Sequence, residues 1–415
     1  MKLCIHRGSK EIGGSCVELE QDGHRILLDL GLPLDLEFES AALPAINGLQ
    51  EPDDGLLGIV LSHGHRDHWG LLPKLSQPID VYVGGKTLSI MRAAQPFVPG
   101  GYAPERAAVY SDRKPFRIGH FKVTPYLMDH SGFDAYSLLI EAGGKRLLYS
   151  GDIRGHGRKA ALFERFVANP PNSVDVMLME GSSLGRLAES DRFETEGQIE
   201  NRLLNSMSQT TGMVLVACSV QNIDRVVSVY RAAKRSGRQL IVDAYGAEVL
   251  RATDTASIPK PAEGWDDVKV YIPKYQRRLL VQNEIAHVVD GYKGRRIFPE
   301  KLPTEASRSV MIVRPWMLGD LSDFGALNGA RAIWSQWDGY LAQESGIRFT
   351  QKCRDLGVPM ETIHTSGHAD TQDLQRYAKA VNPGRLIPIH TFFPDRFDSL
   401  FDNVTPTEDG QWEQI

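Results

Sequence analysis

The sequence predicts an α/β protein in which a strand-rich first part is interrupted by a parallel α/β layer and then resumed. Three observations predict it. Short apolar runs alternate with turn signals up to about residue 195, and helices then alternate with strands to about 345. From 346 the chain reads as a return to the first module, with a strand that ends in a histidine. The expected boundaries are therefore 1–195, 196–345 and 346–415.

Each element has a local reason. Residues 15–20 and 25–29 flank the Asp22-Gly23 turn and read as a hairpin, and 135–141 and 145–150 flank Gly143-Gly144 in the same way, after a strand at 121–126. Helices are expected at 67–75 and 85–95. Glu196–Gln209 reads as a helix and 213–217 as a strand. Residues 221–236 read as a helix with Ile223, Val226, Val227 and Tyr230 on one face, followed by a strand at Gln239–Val242 and a helix from about Tyr245. This alternation argues for a small parallel layer. Pro259, Pro261 and Gly264 mark a loop over 254–266. The last part offers helices at 347–356 and 371–380 and strands at 360–363 and Arg385–Ile389.

The 415 residues are 42% hydrophobic and 24% charged, as in an ordinary soluble protein with room for more than one core. Met1 to Arg7 lacks the apolar core of a signal peptide, and no apolar run approaches the roughly 18 residues of a membrane span. Cys4, Cys16, Cys218 and Cys353 are scattered and read as reduced core thiols, so a cytoplasmic location without a membrane partner is expected. The net charge of −5 advertises no polyanion partner, but basic clusters stand at Arg231/Lys234/Arg235/Arg238, Lys274/Arg277/Arg278 and Lys293/Arg295/Arg296. Such patches can track phosphates or be solvated helix faces.

The chemistry is concentrated after the apolar run Gly58 to Ser62, where His63-Gly64-His65-Arg66-Asp67-His68 packs three imidazoles and a carboxylate into six residues. Imidazole with carboxylate suits zinc or a similar divalent ion. With only 12 histidines in the chain, a solvated loop with chance histidines is a poor account of this order. His130, Asp152 and His390 each follow a strand. Any one alone would read as structural, but together with the first cluster they suggest a site for two ions, with an aspartate such as Asp152 between them. His364-Thr365-Ser366-Gly367-His368-Ala369-Asp370 is expected to open a helix, where free amides and imidazoles could meet an anion. The plain alternative is a capped helix start.

The joint pattern, with Asp29 in Leu27-Leu28-Asp29-Leu30-Gly31, resembles the metallo-β-lactamase superfamily. His368, His390 and the acidic position Glu180 after Val176-Met177-Leu178-Met179 resemble its β-CASP branch, which includes ribonuclease J-like RNA-processing nucleases. The resemblance implies a metallo-β-lactamase αββα sandwich with an inserted β-CASP α/β domain. It gives His63, His65 and His130 to one metal and Asp67, His68 and His390 to the other, with Asp152 bridging and Asp29 orienting the ligand loop by hydrogen bonding. Asp67, Asp152, Glu180 and His368 take catalytic parts, Glu180 acting on His368 rather than on metal. His364, Ser366, Gly367, Ser219 and Asn222 are candidates for phosphate binding, although Asn222 also suits an ordinary helix N-cap. Two departures stand out: Glu180-Gly181-Ser182-Ser183-Leu184-Gly185 replaces the branch's acidic-Ser-Thr-Tyr-Gly form, and Thr391 stands where glycine is usual. The stop at Ile415 reads as lacking the C-terminal domain of ribonuclease J.

The implied function is a two-metal phosphodiesterase, endo- or exonuclease, acting on RNA, with single-stranded DNA as a further substrate, through a shared hydroxide. Zn²⁺ is the expected ion, with Mn²⁺ as an alternative, and the chain could form a homodimer. Two other classes compete. One is a lactamase-fold hydrolase of a small ester, thioester, lactone or cyclic nucleotide, against which the Ser-Gly-His segment counts. The other is a catalytically silent nucleic-acid-binding scaffold, against which the full set of ligand-type residues counts.

Overall fold

Strand alternation sorts the side chains of the N-terminal region to two faces. Leu3, Ile5, Val17, Leu19, Ile26, Leu28 and Val60 lie on one face of a seven-stranded sheet and are buried. They pack against Phe121, Val123, Leu138, Ile140, Leu147, Leu178 and Ile387 of a six-stranded sheet. This computed structural model describes residues 1–415. The outer face of the first sheet, with Leu27, Ile59, Val81 and Val83, is covered by the helix Gly85–Ala94 through Leu88 and Met91. The outer face of the second, with Leu139, Leu148, Met177 and Leu386, is covered by the helices Ala160–Ala168 and Thr371–Val381 through Phe163, Phe166, Leu374 and Tyr377. The result is the helix–sheet–sheet–helix sandwich.

The first sheet runs in spatial order Trp412–Gln414, Lys2–Arg7, Cys16–Gln21, His24–Leu28, Leu56–Val60, Val81–Gly84 and Ala107–Tyr110. In the second, Arg385–Ile389, Val176–Glu180 and Lys145–Tyr149 run parallel, with Ile389 opposite Glu180 and Leu178 opposite Tyr149. Their carboxyl ends therefore share one edge, and His390, Glu180 and the Ser150-Gly151-Asp152 turn emerge there.

These elements form one compact unit, 1–91, 102–193 and 367–415. The second unit, 92–101 with 194–366, holds a six-stranded, all-parallel sheet in the order Val268–Val270, Gln239–Val242, Ser309–Ile312, Val214–Ala217, Arg331–Trp334 and Met360–Thr362. Its first helix, Glu196–Gln209, starts with a capping box between Thr195 and Gln198.

Three expectations need correction. Residues 346–366 stay in the second unit, because Met360–Thr362 pairs in parallel with Arg331–Trp334. Residues 92–101 join that unit as well. The helix expected over 67–75 is broken into Arg66–Trp69 and a 3₁₀ turn at Leu72–Lys74, since Gly70 interrupts it and Pro73 follows. No helix is long and apolar enough to cross a membrane. All four cysteines are buried and unpaired.

Segment 30–32 braces the loop after Leu56–Val60: Leu30 N–H donates to His68 O at 2.8 Å and Leu32 N–H to Arg66 O at 3.1 Å. Between them a Cβ on Gly31 would collide with the Asp67 carbonyl oxygen. Gly31→Ala should therefore destabilise the chain by about 1–3 kcal/mol, read as a lowered urea midpoint. An unchanged midpoint would show that the loop moves freely.

Candidate metal centre

The strand Leu56–Val60 delivers its loop to the shared edge of the first unit. His63 and His68 are buried there, and Trp69 Nε1 pins the loop by donating to Gly64 O at 2.9 Å. His65 Nδ1 lies 3.0 Å from His63 Nε2 and 3.1 Å from His130 Nε2. Asp152 Oδ2 faces the same space, 3.5 Å from His63 Nε2 and 3.7 Å from His130 Nε2. On the other side of Asp152, His68 Nε2 lies 3.3 Å from Oδ2, and His390 Nε2 lies 3.8 Å from Oδ1. Asp67 Oδ2 is 3.7 Å from each of those two imidazole nitrogens. Two groups of donor atoms result, His63/His65/His130/Asp152 and Asp67/His68/Asp152/His390, and within each group all atoms lie within 4.8 Å of one another.

The unsatisfied atoms indicate what this arrangement fits. Both carboxylate oxygens of Asp152, His68 Nε2 and His390 Nε2 are buried without a hydrogen-bond partner. Buried polar atoms are ordinarily paired, and a mixed imidazole–carboxylate set converging on two points suits divalent cations, zinc foremost. The residues present thus fit the expected metal.

Burial and neighbouring charge set the protonation. Burial holds His63 and His130 well below the usual imidazole value and lowers His65 and His390, which keeps lone pairs available. For His68 burial opposes charge, but Asp152, Asp29 and Asp67 outweigh it and lift the ring well above its usual value. Burial would raise Asp152, yet His390, His68, His368 and His63 hold it well below the carboxylate range.

The ligand-type side chains are aimed by others. His68 Nδ1–H donates to Asp29 Oδ2 at 2.7 Å. Asp29 also accepts from Ser62 N–H at 2.7 Å, Ser62 Oγ–H at 2.7 Å and Tyr149 OH at 2.8 Å. His390 Nδ1 is 2.9 Å from Ser15 Oγ. Sequence reasoning missed Ser15, Ser62 and Tyr149. The signal available for Ser62 was its place directly before His63, whereas Ser15 and Tyr149 come in through pairing between distant strands.

Glu180 and His368 meet at the same edge. His368 Nδ1 lies 3.0 Å from Glu180 Oε2, and Glu180 also accepts from Ile153 N–H at 2.8 Å and Ser182 Oγ–H at 2.6 Å. His368 Nδ1 is 3.8 Å from Asp152 Oδ2, and its side chain remains 19% exposed against 1% for Asp152, so it faces an approach route. Burial opposes its charge, but Glu180 and Asp152 raise its pKa.

The other candidates divide between the units. Gly367 belongs to the first, where a Cβ would press on Ser131 Oγ, so the chain passes too close for any side chain. Ser219, Asn222, His364 and Ser366 belong to the second. There Asn222 caps the helix Ile223–Arg235 by accepting from Arg225 N–H at 3.1 Å, and His364 Nδ1 accepts from Arg225 Nη1 at 3.3 Å. The segment 364–370 leads into the helix Thr371–Val381, expected over 371–380, and its start is the capped one of the plain alternative, the Asp370 carboxylate accepting from Asp373 N–H. A further grouping, His156/Asp370/Asp373, is answered by Arg192, whose Nε lies 2.8 Å from Asp370 and Nη2 2.7 Å from Asp373.

Comparison with known proteins agrees with this geometry. Residues 10–178 match the metallo-β-lactamase superfamily, and residues 358–394 match a Zn-dependent metallo-hydrolase RNA specificity domain. The first part of the chain is thus similar to the metallo-β-lactamase superfamily. The chain is 24% identical to ribonuclease J of Mycoplasma pneumoniae over 94% of its own length and 67% of that protein. It is 24% identical to ribonuclease J of Sinorhizobium meliloti over 89% of its length and 64% of that protein, and 26% identical to ribonuclease J of Mycobacterium tuberculosis over 92% and 67%. The chain thus spans about two thirds of these relatives. Among solved structures, a protein of unknown function from Enterococcus faecalis superposes with a TM-score of 0.78 at 17% identity, covering 100% of this chain and 99% of that one, which shows a shared fold.

Asp29→Asn keeps volume and tolerates the left-handed backbone at φ 60°, but it weakens the acceptor for His68. Metal affinity should fall about 10–100-fold with the fold intact, measured by chelator competition and circular dichroism. Unaltered affinity would remove Asp29 from the site.

Proposed function

We propose that the protein is a metal-dependent phosphodiesterase that cleaves RNA. The observation that carries this reading is the placement of a buried imidazole–carboxylate centre beside a partly exposed His368 held by Glu180. The match of residues 358–394 to an RNA specificity domain and the likeness to proteins named ribonuclease J support RNA as the substrate. His63, His65, His130 and Asp152 would hold one cation, and Asp67, His68, His390 and Asp152 the other, with zinc favoured and manganese the alternative. When bound, such a pair supplies Lewis acidity toward phosphate and makes a water nucleophilic at neutral pH.

The chain's own residues do the rest. Asp152 holds the two ligand groups together, and Asp29 and Ser15 fix the imidazole orientations. Glu180 accepts the Nδ1–H of His368, which leaves Nε2 as the nitrogen that can give a proton. The water-derived oxygen that bonds to phosphorus replaces a ribose oxygen, and that leaving oxygen takes its proton from His368 as its bond to phosphorus breaks. Glu180 is thus a positioning residue and His368 the general acid. Ser219, Asn222, His364, Ser366 and Gly367 remain candidates for holding the strand's phosphates, and single-stranded DNA is a second substrate to compare.

RNA and DNA oligomers labelled at either end, incubated with Zn²⁺ or Mn²⁺, test substrate and mode together. RNA should be cut, and His65→Ala and Asp152→Ala should abolish cutting. His368→Ala should slow it about 10²–10⁴-fold while retaining bound metal. Full speed in His368→Ala would remove that residue from the mechanism, and turnover of esters or cyclic dinucleotides without RNA cleavage would overturn the reading.

A further inference from the structure

The basic clusters of the sequence meet different fates in the second unit. Arg231 and Arg235 pair with Glu200, Arg238 is buried against the carbonyls of Gly212 and Ser309, and Lys293 and Arg295 pair with Asp290 and Asp266. Lys274 pairs with Asp323 at 3.3 Å and lies 3.8 Å from Asp320. Arg277 and Arg278 are exposed at the start of the helix Lys274–Gln282 and make no ion pair. Of the three clusters, the one on this helix thus keeps two exposed arginines, Arg277 and Arg278, without an acidic partner.

That helix borders a cavity of about 680 Å³, and every residue lining it belongs to the second unit. The volume falls within the usual range for small-ligand sites. Its position follows from the parallel sheet: Arg314 comes just after Ser309–Ile312, Tyr245 just after Gln239–Val242 and Lys274 just after Val268–Val270. The carboxyl ends of parallel strands are where open α/β sheets take ligands.

The lining sets cations beside flat aromatic rings. Three cations, Lys274, Arg278 and Arg314, face one carboxylate, Asp320. Arg314 is held in advance, its Nε donating to Asp243 at 2.9 Å and its guanidinium lying 4.6 Å from the centre of the Tyr245 ring. Asp243 is fixed in turn by Gln276 at 2.8 Å and by capping its own helix. Arg314 Nη2 is nevertheless buried without a hydrogen-bond partner. Beside these cations Tyr275 and Trp316 are 46% and 40% exposed, with ring centres 5.2 Å apart. Exposed aromatic rings next to guanidinium groups suit an aromatic base joined to a phosphate.

We infer that this cavity binds a nucleoside phosphate unit, its base stacked on Trp316 and Tyr275 and its phosphate held by Arg278, Lys274 and Arg314. The unit can be a free mononucleotide or one residue of an RNA strand. The inference rests on the second unit alone and stands whether or not the metal centre cuts RNA.

Calorimetric titration of the full chain with AMP, and separately with a 2′-O-methyl RNA pentanucleotide checked for integrity afterwards, tests it. Arg278→Ala and Trp316→Ala change exposed side chains, and thermal melts confirm folding. At least one ligand should bind at millimolar concentration or below, and each substitution should weaken it about fivefold or more. Binding of AMP alone identifies a mononucleotide site, and binding of the oligomer alone identifies a strand site. Two results overturn the proposal. One is that neither ligand binds. The other is that both variants bind as the parent does, including the case in which only His368→Ala loses binding.

Discussion

A carboxylate buried without hydrogen-bond donors is the constraint on which the first unit depends. Asp152 is 1% exposed, and neither of its oxygens has a hydrogen-bond partner. An uncompensated charge in such a place costs several kcal/mol. The imidazoles of His63, His68, His130 and His390 crowd around it, but burial lowers three of them and only His68 is raised by its neighbouring carboxylates. The site therefore calls for positive charge from outside the chain. The parallel strands, the shared edge and the braced loop make sense as devices that hold ligand atoms around this one carboxylate.

Those devices carry strain. Asp29 and His390 have φ of 60° and 54°, a region that costs an L-residue roughly 1–2 kcal/mol. Both are held by surrounding bonds. Asp29 accepts from the Ser62 amide and hydroxyl, His68 and Tyr149. His390 donates its amide to Gly8 O at 2.7 Å, and its ring Nδ1 lies 2.9 Å from Ser15 Oγ. Left-handed backbone directly after Leu28 and Ile389 turns each side chain off its strand. The conformations serve direction rather than stability.

Legibility in the sequence followed the range of the interactions. His63, His65, Asp67 and His68 announce themselves because one strand and one loop carry all four. His130, Asp152 and His390 were visible as polar strand ends, yet only their number made them persuasive. Glu180 and His368 came from family resemblance, since 188 residues separate them and no local pattern joins them. Residues 346–366 were given to the wrong unit because a three-residue strand, Met360–Thr362, declares its partner only through pairing. Of the segment 92–101, residues 92–95 read as the end of the helix expected over 85–95, and nothing in Pro96, Pro99 and Gly100-Gly101 points to the second unit. The helix after 364–370 was legible locally, since Asp370 has the side chain to be the N-cap of Thr371–Val381.

The central claim is that Asp152 stands between two cations. Crystals of the zinc-loaded protein, with diffraction recorded on both sides of the zinc absorption edge, address it most directly. The account predicts two anomalous peaks about 3.5–4 Å apart, one among His63, His65 and His130, the other among Asp67, His68 and His390, with Asp152 reaching both. A fully loaded protein with a single peak, or with zinc held away from Asp152, would contradict it.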